Sequence, residues 1–167
     1  MKTIAILRHG EAEPSKRSDA ERALTDKGIL YSRAAAKTLH KQIEALGALD
    51  AIYHSPFKRT TQTAHTVLAS LESLTSNKIA IAPDPALLGD NTPQSVCEWL
   101  DKIPHKNILL VSHQPLVSYC LDWMIDANAA SASSHYAFHP SSLALLQTEH
   151  SERGCAELLS LNHHPAV

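Results

Sequence analysis

Short apolar runs that stop abruptly at polar residues recur along this chain, with helix-period stretches between them. That alternation restricts the fold more than any other feature. Residues 3–7 (TIAIL) are β-branched and apolar and end at Arg8-His9-Gly10; residues 51–55 (AIYHS) end at Pro56. Residues 79–82 make a brief third run, and 108–112 (ILLVS) give the cleanest buried-strand pattern. Between the first two, Thr25 is placed to cap a helix beginning at Asp26, whose charge suits a first turn. Tyr31, Ala35, Leu39, Ile43 and Leu46 then form one apolar face, and Gly47 supplies a stop. A second helix is expected over 57–74, with Ala64, Val67, Leu68 and Leu71 turned inward. Thr92-Pro93 is a cap followed by proline at the first helical position, with Val96, Trp99, Leu100 and Ile103 on the apolar face beyond it. Pro115 opens a fourth helix to about residue 125, and 143–148 with 156–161 read as a hairpin turned near Gly154. Strands alternating with helices predict an α/β fold: three α/β/α layers with a mostly parallel sheet flanked by helices. With no internal repeat or linker, 167 residues predict a single domain spanning 1–167.

Composition narrows the partners. Fifteen Lys+Arg against 17 Asp+Glu leave a net charge of −2, and no basic stripe emerges to neutralise many phosphates, so no nucleic-acid partner is expected. Three cysteines, without any C-x-x-C pairing, argue against a disulfide framework or a thiolate zinc site and favour a reducing compartment. No apolar stretch approaches the ~18 residues of a membrane helix, and the 4–7 run is too short for a signal-peptide core. The expectation is a cytoplasmic protein with no membrane partner.

In parallel α/β sheets, ligands bind beyond the carboxyl ends of the strands. Here those ends carry Arg8-His9-Gly10, Ser55-Pro56 with Arg59 one turn into the next helix, and Ser112-His113. Parallel strands would gather two arginines and two histidines at one sheet edge. Guanidinium forks match phosphate oxygens, and helix N-termini add N–H groups and positive partial charge. An imidazole among arginines has its protonated form disfavoured and stays neutral and nucleophilic near pH 7. It can therefore attack phosphorus to give a covalent phosphohistidine that water hydrolyses, while arginines and a second histidine stabilise the equatorial oxygens. Gly10 would remove bulk where a phosphate approaches the backbone.

Leu7-Arg8-His9-Gly10-Glu11, then Leu24-Thr25-Asp26-Lys27-Gly28, then Ser55-Pro56-Phe57-Lys58-Arg59-Thr60-Thr61-Gln62-Thr63-Ala64, then Val111-Ser112-His113, in this order and spacing, resembles the histidine phosphatase (phosphoglycerate mutase-like) superfamily. The resemblance runs from residue 3 to about 125 and, more weakly, over the final hairpin. It implies that His9 is the phospho-accepting nucleophile and that Arg8, Arg59 and His113 form the phosphate pocket. It also implies no metal and no cofactor. Larger members carry an insertion between the second and third strands that has no room here. The chain is therefore similar to the short SixA-type phosphohistidine phosphatases, and the partner implied is a phosphorylated histidine-containing phosphotransfer protein.

Ester-cleaving relatives usually place a glutamate after the third strand to protonate the leaving oxygen. This chain reads Asp84-Pro85-Ala86-Leu87-Leu88-Gly89-Asp90 there, so Glu11, Asp84 and Asp90 stand as candidate proton donors. Imidazole is a far weaker base than an alkoxide, so a missing strong acid is better tolerated with a phosphohistidine substrate. The rival readings are a phosphomonoesterase for a small, sugar-phosphate-like ester, a phosphate- or phosphoprotein-binding module without turnover, and a histidine-rich metal binder. His135 and His139 are four apart, but 129–142 lacks helical periodicity and a carboxylate partner, which argues against metal there. His54 and His65 flank the Ser55–Ala64 motif as structural residues, and His40, His105, His150, His163 and His164 are expected to face solvent. The polar loop 12–22 is a candidate cover for the pocket, its lysine and arginines available to an acidic partner surface.

Overall fold

The computed structural model describes residues 1–14 and 17–165. Six strands form one mixed sheet: β1 (Lys2–Arg8), β2 (Ala51–His54), β3 (Ala80–Pro83), β4 (Asn107–Ser112), β5 (Leu143–Thr148) and β6 (Ala156–Asn162). Their order across the sheet is β3-β2-β4-β1-β5-β6. The first four are parallel; β5 runs antiparallel to β1, and β6 antiparallel to β5. Successive β1 side chains alternate between faces. Ile4 and Ile6 join a core with α3 (Pro93–Lys102) and α4 (Leu116–Ile125), while Ala5 and Leu7 join one with α1 (Asp26–Ile43) and α2 (Lys58–Glu72). These β1 side chains are almost wholly buried, each isoleucine or leucine contributing about 2 kcal/mol of transfer free energy. The three layers are therefore those the alternating pattern predicts.

Caps set where the helices begin. Thr25 Oγ1 accepts the Gly28 N–H at 3.0 Å, and Thr92 with Ser95 forms a reciprocal capping box ahead of α3. The expected end of α1 at Leu46 is three residues too late. The Leu46 N–H bonds back to Ile43 O in a tighter turn, and Gly47 at φ 120°, open to glycine alone, reverses the chain toward β2. Likewise α2 stops at Glu72, because the Leu74 N–H closes a short turn on Leu71 O.

Register carries the sheet to the site. Arg8 pairs with Ser112, so His9 and His113 follow side by side from adjacent parallel strands. The Ser55 N–H donates to Val111 O at 3.0 Å, which brings the end of β2 and the start of α2 to the same edge.

Candidate active site

His9 leaves β1 only 7% exposed, buried yet not sealed. Its Nδ1 lies 2.7 Å from Gly10 O. A carbonyl only accepts, so the ring proton sits on Nδ1 and Nε2 keeps its lone pair. Arg59 agrees independently: its Nε donates to His9 Nε2 at 3.2 Å. Burial pushes the His9 pKa down to about 3, against the Gly10 hydrogen bond and with help from Arg59, His113 and Arg8. The imidazole is neutral at pH 7, with its lone pair turned to an arginine.

His113 stands 5.4 Å from His9, centroid to centroid. Its Nε2 is 2.8 Å from Ser55 Oγ, while Nδ1 is buried without a hydrogen-bond partner. Burial, then the Arg59 charge, lowers its pKa to about 4. Arg59 is buried at the first turn of α2, its guanidinium 5.1 Å from the Phe57 ring centroid. Arg8 Nη1 donates to Phe138 O at 2.7 Å, and its Nε is buried and unpaired. Arg8, His9, Arg59 and His113 are thus brought together, with a buried, unpaired nitrogen on two of them. A groove of about 730 Å³ lies elsewhere, between α1 and α2 beside Arg33, Lys37 and His65, and shares no residue with this cluster.

The supports around His9 revise one expectation. A Cβ at Gly10 would lie 2.7 Å from Gly28 O and 2.9 Å from Ser32 Oγ, so packing against α1 already requires glycine there. The Gly10 N–H is also committed, to Thr63 Oγ1 at 3.0 Å, and so is not a free phosphate donor. Gln62 Oε1 accepts the Leu24 N–H at 2.8 Å, tying the second motif to the third. Sequence reading missed the segment Phe138–Ser142 that braces Arg8 and His9. The Ser141 N–H is shared between Arg8 O and His9 O at 3.1 and 3.2 Å, with Ser141 at φ 65°. These are backbone contacts and leave no side-chain signature.

It also missed Asp19. Residues Asp19–Glu21 form a short 3-10 turn against α2. Arg59 Nη1 donates to Asp19 O at 2.7 Å and Nη2 to its carboxylate at 3.0 Å, while Arg22 Nη1 reaches the other oxygen at 3.2 Å. Burial raises the Asp19 pKa, but hydrogen bonds and charge from Arg22 and Arg59 outweigh it and hold the carboxyl below its ordinary value. The 12–22 loop thus touches the site through Asp19; its lysine, Lys16, lies outside the described residues.

The candidate proton donors fare differently. Asp84 is spent on structure: one oxygen accepts the Ala86 N–H at 2.9 Å and the other the Trp99 Nε1–H at 2.9 Å, which removes it from that role. Glu11 is exposed and takes the Thr25 hydroxyl at 3.0 Å, at the start of α1. Asp90 is exposed and follows Gly89, which packs against His113.

Several histidines are not free solvent-facing rings. His135 is exposed yet has a carboxylate partner from outside its own 129–142 stretch, bonding buried Asp122 at 2.6 Å, and it lies outside any helix. His105 bonds Tyr53 Oη, His164 bonds Thr38, and His163 bonds Ser142 and packs on His139. Among the described residues, no group of three or more His, Cys, Asp or Glu could hold a metal, and no helix is long and apolar enough to cross a membrane.

A mixed six-stranded α/β sheet with a neutral histidine, two arginines and a second histidine at its strand ends defines a protein built to handle phosphoryl groups. The model of the histidine phosphatase superfamily (branch 1) matches residues 4–87, and the chain belongs to that superfamily, as a phosphatase of the hydrolase class. It is 31% identical over 148 residues to a phosphohistidine phosphatase SixA homolog of Haemophilus influenzae, covering 86% of each chain. The fold matches the protein histidine phosphatase SixA complexed with tungstate at a TM-score of 0.74, with 24% identity over 95% of each chain. It also matches a mycobacterial glucosyl-3-phosphoglycerate phosphatase complexed with VO3 at 0.70, with 13% identity over 96% of this chain and 98% of that one.

Proposed function

We propose that this chain removes phosphate from phosphohistidine on a histidine-containing phosphotransfer protein, through a phosphoryl group carried on His9 and without a metal. The observation that carries the reading is the neutral His9 ring, its Nε2 lone pair facing Arg59 and His113 beside it. In the first step His9 Nε2 bonds to phosphorus, the P–N bond of the substrate breaks, and its electron pair returns to the departing imidazole. In the second, water bonds to phosphorus and the P–Nε2 bond breaks. His9 is regenerated and the water's proton leaves with inorganic phosphate or solvent. Arg8, Arg59 and His113 stabilise the equatorial oxygens, for which the unpaired Arg8 Nε and His113 Nδ1 are suited.

Two features favour phosphohistidine over a phosphoester. The relative matched at 31% identity bears that activity in its name, and Asp84, the carboxylate directly after β3, is committed to Ala86 and Trp99. The test compares turnover of a phosphorylated phosphotransfer domain with that of a chromogenic phosphomonoester, together with alkaline-quench trapping. Wild type should carry acid-labile, alkali-stable phosphate and cleave the phosphohistidine faster. His9→Ala should lose both label and turnover. Faster ester cleavage would make the chain a phosphomonoesterase for small esters, and binding without phosphate release would make it a binding module.

A further inference from the structure

We propose that Asp19 determines specificity: its carboxylate, anchored on Arg59 at the rim of the pocket, selects a leaving group that arrives with its own proton. That group is the imidazolium of phosphohistidine, so the inference rests on the function proposed above and names the feature of the substrate that is read.

The Arg59 guanidinium is bracketed. Its Nε end meets the attacking atom, His9 Nε2, at 3.2 Å, and its Nη end meets Asp19 at 2.7 and 3.0 Å. A phosphoryl group seated along this fork has His9 behind phosphorus. In-line displacement sends the leaving group away from His9, toward the end that Asp19 occupies. The Asp19 side chain is 60% exposed, and with one hydrogen bond on each oxygen it has lone pairs left to accept more. The charged groups facing it are Arg22 on its own turn and Arg59 from α2, and its charge is felt at His113 beyond β4. Both arginines keep it ionised.

An ionised carboxylate has no proton to give. A phosphoester needs one for its departing oxygen, and negative charge growing there is repelled by Asp19. Phosphohistidine differs because its ring titrates near neutrality. When the second ring nitrogen is protonated, the P–N electron pair returns to the ring and neutral imidazole departs with no donor required. A carboxylate accepting that second N–H keeps the substrate in this reactive form to higher pH.

The test uses the full chain as wild type, Asp19→Asn and Asp19→Glu, assayed on a phosphorylated phosphotransfer domain and on phenyl phosphate across pH 5–9. Asparagine still accepts from Arg59 Nη2, so it removes charge while keeping the anchor. Asp19→Asn should lower kcat/KM for phosphohistidine about tenfold at pH 8 and move its alkaline limb about one unit toward acid, the size of one carboxylate–imidazolium contact. On phenyl phosphate kcat/KM should rise, because the charge that repels the departing oxygen is gone, and Asp19→Glu should keep the preference for phosphohistidine. Equal losses on both substrates with an unmoved alkaline limb would make Asp19 a structural anchor and overturn the proposal, as would no loss at all. Wild type without phosphohistidine turnover would reject the underlying function first, before any variant is compared, and this inference with it.

Discussion

Acid should destabilise this protein through His9, the ring proposed to carry the phosphoryl group. The His9 pKa is about 3 in the folded chain, against about 6.5 for an unperturbed imidazole in the unfolded one. Between those values the unfolded chain binds a proton that the folded chain refuses. Stability therefore falls as pH drops below 6.5 and levels off below about 3. At pH 4.5 the two reference points differ by two units, so the His9 share of the loss is about 3 kcal/mol, a large part of an ordinary domain's stability. His113, lowered to about 4, adds a loss of the same sign over a narrower window. The perturbation is His9→Asn, which cannot titrate, and the assay is urea unfolding of both proteins at pH 7.5 and 4.5. Wild type should lose about 3 kcal/mol more than the variant over that interval, with similar m values. A gap between the two proteins that stays constant with pH would refute the argument. The imidazole would then protonate as readily folded as unfolded, and its neutrality could not be a product of the fold.

Two further substitutions separate support from chemistry. Thr63→Val keeps shape but strands the buried Gly10 N–H; it should cost about 1–3 kcal/mol, seen as a lower Tm, and reduce kcat because Gly10 O orients His9. Asp84→Ala should lose about 1 kcal/mol by thermal unfolding, from a lost cap and a lost Trp99 partner, while kcat on either class of substrate stays within twofold.

The parts legible in the sequence share a physical origin. Apolar runs located the six strands, most sharply 108–112 inside β4, which is buried along that whole stretch, whereas β3 and β6 are only partly covered. Thr25 and Thr92 marked helix starts because their hydroxyls have a fixed local job. The parts that stayed hidden lie in irregular segments whose partners are distant in the chain. Asp19 reaches Arg59 across 40 positions, and Phe138 reaches Arg8 across 130 through a carbonyl that any residue would supply. The Asp122–His135 pair was hidden for the same reason, since nothing in the spacing of 13 residues distinguishes it from two unrelated polar side chains. Gly10 was legible as a necessity but not for its cause, because only the folded chain shows that α1 fills the space a Cβ would take.

The same distinction holds for the neutrality of His9. Sequence reasoning attributes the neutrality of His9 to neighbouring arginines; in the folded chain burial is the larger cause, and the arginines only add to it. A ring kept neutral by burial depends on everything that encloses it: Gly10 packed on α1, Thr63 holding the Gly10 N–H, and Ser141 pinning the backbone of Arg8 and His9. The arginines are thereby relieved of the task of deprotonating the ring and can be disposed for the phosphoryl oxygens. Arg59 shows the division of labour: a single guanidinium holds the His9 lone pair at one end and an ionised carboxylate at the other. Its own pair with exposed Asp19 adds little to stability, since a half-solvated ion pair is worth about 1 kcal/mol at most. Such a contact does little to hold the fold; its consequence is to fix an ionised carboxylate beside His9 and Arg59, where the proposed leaving group would meet it.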